Sequence, residues 1–418
     1  MDNVPHEILY IVCSLLHVND ILSFRLVNKV FAHIGAAYML REVTCYMYQE
    51  DLARLEAISE HPIFSKHVRS LVYFTLTLKV PIVSRGDFVQ KNVDVLEKVL
   101  PRFPNLEALT MTSRILANSL VMQSADQPVT GLLLDALLRA NAHSRGSLTS
   151  LRAVCVHWTF FNRSEQELAR MFQPLSNLTL IEISITLGFD GDMGYCAESL
   201  CKFKRVLAKG AVRNILKSIQ QLESLYIENR NLGFGGTGVG VSPSDVIQPG
   251  FCWPKLKALG LSGVKGDRTE IMNILLLHKA TLQTLRLRDI HLTSTSWRKL
   301  LPDIRKNLCL EEACICGYIW GAFENEADTQ DSWNHPLGIQ DTEYWDLSEP
   351  EDGSHDMRES INVYCRQGGE NYPDELPLSE LVVNKYYHQY VQPFFQNNDD
   401  DDDDEDFELD AEEEENNG

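Results

Sequence analysis

Two clusters hold residue types that could do chemistry. Gly233-Phe-Gly235-Gly-Thr-Gly238 has the G-x-G-x-x-G spacing that lets backbone amides close on a pyrophosphate. That use requires the glycines to follow a strand and open a helix. Here Val-Gly-Val-Ser-Pro-Ser follows, which is loop composition, so a loop insertion is expected and not a nucleotide site. Cys309, Cys314 and Cys316 form the second cluster. Zinc sites usually pair two such cysteines with a second pair, and none is evident. Cys314-Ile-Cys316 on a strand would put both thiols on one face, where burial in a core is the expectation. There is no P-loop, G-x-S-x-G or H-E-x-x-H, and no local signature joins a Cys to a His. No catalytic residue, cofactor or metal is therefore expected.

The elements that would position any site come from composition and periodicity. The 418 residues carry a net charge of −21, unevenly placed. Residues 1–323 hold 35 basic and 29 acidic side chains, whereas residues 324–418 hold 3 and 30. A mildly basic body is followed by a strongly acidic quarter, and each needs its own account. Such a quarter opposes a phosphate backbone, so direct nucleic-acid binding is not expected. Met1-Asp2-Asn3 lacks a basic n-region and leads into no apolar h-region, so no secretory leader is expected. Leu71–Val83 and Ile271–Leu277 are too short to cross a bilayer, so no membrane partner is expected. Ten scattered cysteines suit a reducing compartment, the cytoplasm or nucleus.

At the N-terminus, Ile8, Ile11, Val12, Leu15 and Leu16 recur at helical spacing behind Pro5 and Glu7. Asn19 or Asp20 is available to cap a second helix carrying Leu22, Leu26, Val27, Val30, Phe31 and Ile34. A third short helix is expected over Tyr38–Val43. Three such helices make a core too small to stand alone, so the unit should dock on something.

Val4-Pro5-His-Glu7-Ile8-Leu9, Asp20-Ile-Leu22 and Arg25-Leu26-Val27-Asn-Lys29-Val-Phe31 together resemble an F-box, over residues 1–43. Val4, Ile21 and Asn28 depart slightly from its commonest residues. The resemblance implies binding to a Skp1-type adaptor and through it a cullin. By position it implies contacts from Pro5, Ile8, Leu9, Ile11, Leu15, Leu16, Leu22, Leu26 and Val27. Apolar residues on more than one helix face suit a groove of that kind.

Residues 44–323 carry a second pattern, L-x-x-L-x-L with substitutions. It is read at Val68, Leu106, Leu151, Leu178, Leu222, Leu256, Leu282 and Leu310 as first positions. Helix-like stretches such as Leu132–Ala140 and Cys201–Lys217 lie between the units. The pattern resembles an irregular leucine-rich-repeat solenoid, an α/β fold in which stacked strands line one face and helices the other. The whole is similar to fungal-type F-box proteins with such a repeat domain. The resemblance implies a substrate receptor of a Skp1–cullin–F-box ubiquitin ligase, with an unknown target protein on the strand face. Candidate target contacts are Arg152, His157, Trp158, Tyr226, Glu228, Arg230, Lys257, Arg286 and Arg288, residues beside the strand leucines. The alternative is a protein-binding scaffold outside any ligase, with an F-box-like hairpin that only starts the array.

Residues 324–360 are expected to be an acidic linker and 361–398 a helical cap, with a final helix over Leu378–Tyr390. Residues 399–418 include eight consecutive acids from Asp399 to Asp406 and are expected to be a disordered acidic tail.

Overall fold

The computed structural model describes residues 4–75, 82–113, 127–142, 148–187, 197–229, 240–322, 342–347 and 357–366. The chain begins with three helices, α1 (His6–Leu15), α2 (Val18–Arg25) and α3 (Lys29–Met39). The apolar run from Leu22 to Ile34 is thus two helices, broken at Leu26-Val27-Asn28. Asn28 causes the restart: its side chain accepts from the Phe31 N–H at 2.9 Å. The cap of α2 is His17, not Asn19 or Asp20. Residue 43 belongs to a strand and not to a third helix over Tyr38–Val43.

The body is α/β, built on a large parallel sheet. In chain order its strands are β1 (Glu42–Tyr46), β2 (Ser70–Thr75), β3 (Ala108–Ser113), β4 (Ser150–His157), β5 (Leu180–Thr186), β6 (Ser224–Asn229), β7 (Ala258–Ser262), β9 (Thr284–Arg288) and β11 (Glu312–Ala322). They lie side by side in sequence order, all parallel. Helices α4 (Gln49–Glu60), α5 (Ile82–Val99), α6 (Gln127–Ala142), α7 (Glu165–Phe172), α8 (Ala197–Ala208), α9 (Ala211–Ser218), α10 (Pro243–Val246), α11 (Arg268–Leu277) and α12 (Trp297–Asn307) fill the crossovers.

The register explains the repeat. Val43, Leu71, Leu109, Leu151, Ile181, Leu225, Leu259 and Leu285 are successive partners across the sheet, and all are buried. Each such side chain contributes about 1.5–3 kcal/mol through burial. One strand and helix cannot exclude water from this row, but neighbours on both sides can. A backbone rim reinforces it. The carbonyl of Arg69 accepts from both Glu107 N and Ala108 N at 2.7 and 2.9 Å, and Glu107, Thr149, Thr179, Glu223, Lys257 and Gln283 repeat the arrangement.

Seven of the eight expected units fall in this register, and one does not. In β4 the aligned residues are Leu148, Leu151 and Ala153, so the unit read from Leu151 starts three residues late. A bulge follows between Ala153 and Val156, where Cys155 takes φ 60°, and Val156 is buried as well. Thr130 of α6 holds the bulge, donating to Cys155 O at 2.8 Å and accepting from His157 N at 3.3 Å. β1 is a further strand in front of the eight.

After Cys316, β11 turns at Gly317 (φ 74°) into a second pairing with β10 (His291–Leu292), which pairs with β8 (Lys265–Gly266). There it also pairs antiparallel with β12 (Thr342–Leu347), so part of the expected acidic linker is a strand, with Trp345 and Leu347 buried. Helix α13 (Met357–Arg366) spans the expected boundary at residue 361 and buries Ile361, Tyr364 and Cys365. It covers the free edge of β11, where Asn362 Oδ1 accepts from Ile315 N at 2.7 Å. The expected helix over Leu378–Tyr390 and the acidic tail lie outside the described residues. No described helix is long and apolar enough to cross a membrane.

Candidate functional sites

The first site is the outer surface of α1 and α2. Leu9 and Cys13 of α1 turn inward to Phe31 and Ile34 of α3, a small core separate from that of the sheet. Phe24 and Phe31 close it with ring centroids 4.3 Å apart. With that face used, the rest of α1 is left in water. Ile11 is 56% exposed and Leu15 81%, and Ile8 is exposed beside them. In α2 and the break after it, Leu22 and Val27 are exposed and Leu26 is 87% so. Pro5 is exposed and Leu16 partly so. Of the nine residues expected to meet an adaptor, Leu9 is the correction: it is buried in the helical core. Isolated exposed leucines are ordinary, but this many on two consecutive helices make a candidate interaction surface.

Arg25 ties this unit to the body. Its Nε donates to Ala32 O at 3.3 Å, and its guanidinium lies 5.5 Å from the centre of the Phe64 ring. Gly35 leaves room for the Arg25 stem, which a Cβ there would strike.

The second site is the sheet face opposite the helices. Successive partners across it are Thr110, Arg152, Glu182, Tyr226, Gly260, Arg286 and Cys314. Arg152 Nε lies 3.4 Å from Glu182 Oε2. The ring of Tyr226 occupies the space over Gly260 that a Cβ would need. Burial pushes the Tyr226 hydroxyl up to about 12, helped by Glu228. Next in line run Ser184, Glu228, Ser262, Arg288 and Cys316. Arg286 and Arg288 are exposed. Arg288 Nε lies 3.4 Å from Asp289 Oδ2, and Asp289 Oδ1 accepts from Tyr318 N at 2.8 Å.

Several expected target contacts do other work. Trp158 is a correction: it opens a 3-10 turn, Trp158–Phe161, and is only 7% exposed, packed in the main core. His157 is half-buried, its ring 2.7 Å from Thr159 Oγ1 and 3.1 Å from Leu187 O. Burial holds its pKa below the usual imidazole range. Lys257 sits on the rim and not on the face, with Nζ 2.8 Å from Glu223 Oε2. Arg230 lies outside the described residues. Arg152, Tyr226, Glu228, Arg286 and Arg288 do share the face. The glycine-rich segment Gly233–Gly238 lies outside the described residues.

Among the described residues no group of three or more His, Cys, Asp or Glu side chains could hold a metal ion. No protein-family model matches the chain, and no curated protein matches it in sequence.

Proposed function

We propose that the chain is the substrate-recognition subunit of a Skp1–cullin–F-box ubiquitin ligase. In this reading α1–α3 is an F-box, and the sheet with its helices is an irregular leucine-rich-repeat solenoid. The observation that supports it best is the outward exposure of Ile8, Ile11, Leu15, Leu22, Leu26 and Val27 on a unit whose own core uses other residues. A Skp1-type adaptor would cover those side chains. The target would lie on the face of Arg152, Tyr226, Glu228, Arg286 and Arg288. Ubiquitin transfer then follows from proximity, because the conjugating enzyme reaches lysines held at high local concentration. Nine parallel strands at about 4.8 Å spacing put the two ends of the sheet roughly 40 Å apart. Targets held near β9 would therefore sit well away from the adaptor.

The test is capture of purified Skp1 by the full chain. Wild type binds, and the Leu15→Asp/Leu26→Asp double variant loses about 100-fold or more in affinity, because each change would bury an unpaired charge at the interface. Both side chains are more than four-fifths exposed, so the thermal midpoint of the variant stays at the wild-type value. Wild-type protein that does not bind Skp1 refutes the ligase reading and leaves the non-ligase scaffold.

A further inference from the structure

Cys314 and Cys316 occupy alternate positions on β11 and face the same side of the sheet, with their sulfurs 3.8 Å apart. The sequence led us to expect buried core thiols, yet both are only partly buried. The register sets Arg286 beside Cys314 and Arg288 beside Cys316. Arg358 of α13 adds a third positive charge acting on Cys314. The negative groups gather at the other sulfur, with Asp289 acting on Cys316 and Glu228 acting on Arg288. The two thiols are therefore electrically unequal. The hydrogen bond shared with Cys316, and then Arg286, hold the Cys314 thiol below its ordinary range, at about 6. Cys316 is pushed up by the same shared proton and by burial. The pair thus shares one proton, and the three arginines favour the negative charge at Cys314 over Cys316.

We propose that the Cys314–Cys316 pair is a thiol–disulfide exchange site whose oxidant is glutathione disulfide, an anionic peptide disulfide that Arg286 helps to attract. The Cys314 thiolate attacks one sulfur of the disulfide. A protein–glutathione S–S bond forms, the glutathione S–S bond breaks, and one glutathione leaves as thiolate. Cys316 then gives up its proton and attacks the Cys314 sulfur, expelling the second glutathione. The dithiol has lost two electrons, and one glutathione disulfide has become two reduced glutathiones. Closing the bond brings the sulfurs from 3.8 Å to about 2.05 Å. Same-face residues of an extended strand stand about 6.6 Å apart, so closure bends β11 out of its pairing with Arg286 and Arg288, next to the turn at Gly317. Oxidation would change the sheet face beside Arg286 and Arg288. The site stands whether or not α1–α3 binds an adaptor.

The experiment treats reduced full-length protein with glutathione disulfide, quenches with acid and maps each cysteine by mass spectrometry. Cys201, Cys252 and Cys309 are exposed and serve as internal references. Cys314 is expected to react several-fold faster than these three, because Arg286 attracts the anionic disulfide and the larger thiolate fraction outweighs the lower nucleophilicity. Wild type accumulates the Cys314–Cys316 disulfide, Cys316→Ser stops at glutathione-bound Cys314, and Arg286→Gln reacts several-fold more slowly. Equal rates at all four cysteines, or an Arg286→Gln rate equal to wild type, overturns the proposal. The comparison within wild type needs no variant to fold.

Discussion

At the scale of single residues, the buried histidines show how the core fixes a protonation state. His278 is 1% exposed between α11 and the strand lead-in at Trp253. Its Nε2 accepts from Trp253 N at 3.1 Å, so that nitrogen carries no proton, and its Nδ1–H donates to Ile274 O at 2.8 Å. Protonation would set one N–H against another. Burial lowers its pKa, and burial and then Lys265 lower His291 from 6.5 to about 4. A depressed folded-state pKa means that the unfolded chain binds protons which the native state refuses. Stability is then complete above pH about 6.5, falls as the pH drops from there toward 4, and levels off for His291 below its folded value. Urea titrations at pH 7, 6 and 5 should show this loss, at up to about 1.4 kcal/mol per pH unit for each such histidine. His291→Gln should have a shallower slope. An unchanged slope would mean that this histidine is protonated equally in both states.

At the scale of elements, α13 protects an edge. Asn362 satisfies the Ile315 N–H at the last strand of the parallel sheet, and the Arg305 guanidinium lies 4.4 Å from the centre of the Tyr364 ring to hold the helix against α12. Asn362→Ala leaves a buried donor unpaired, which costs about 1–3 kcal/mol. Denaturant melts of that variant should show the loss, together with faster self-association through the opened edge. Element legibility followed the same physics. Leucine or isoleucine at the aligned positions of β2, β3, β5, β6, β7 and β9 made those strands readable, because their partners in register demand an apolar side chain. The unit of β4 is offset by three residues because Val154 and Val156 mimic the pattern, whereas its true last place is filled by the small Ala153. β1 was missed because Val43 and Cys45 fill the row without leucine. β12 was hidden by its acidic composition, although Trp345 is buried. The exposed positions of α1 and α2 were named from the order of motif residues. Periodicity alone could not assign them, because α1 is apolar on more than one face and only the packing shows that Leu9 is the inward one.

At the scale of the whole molecule, two cores of unequal size coexist. The cluster of Leu9, Cys13, Phe31 and Ile34 is separate from the continuous core under the sheet. A chain starting at residue 41 should therefore still fold, with its urea m-value reduced by about a tenth in proportion to the surface lost. If α1–α3 is the adaptor site proposed above, that shortened chain binds no Skp1. A collapse of the m-value would show that the helices nucleate the sheet. The net charge of −21 also divides by region, since residues 324–418 carry 30 acidic side chains against 3 basic. The sheet face with its arginines is thus not described by the overall acidity. The strand order has a mechanical consequence as well. Because neighbours in sequence are neighbours in the sheet, a pull on the two chain ends loads the outermost strands first. It opens the rim hydrogen bonds one unit at a time rather than shearing the whole sheet. Under force the molecule should yield as a series of small extensions, each releasing one strand and its helix, so a machine that grips either end would meet many low barriers in place of one high one.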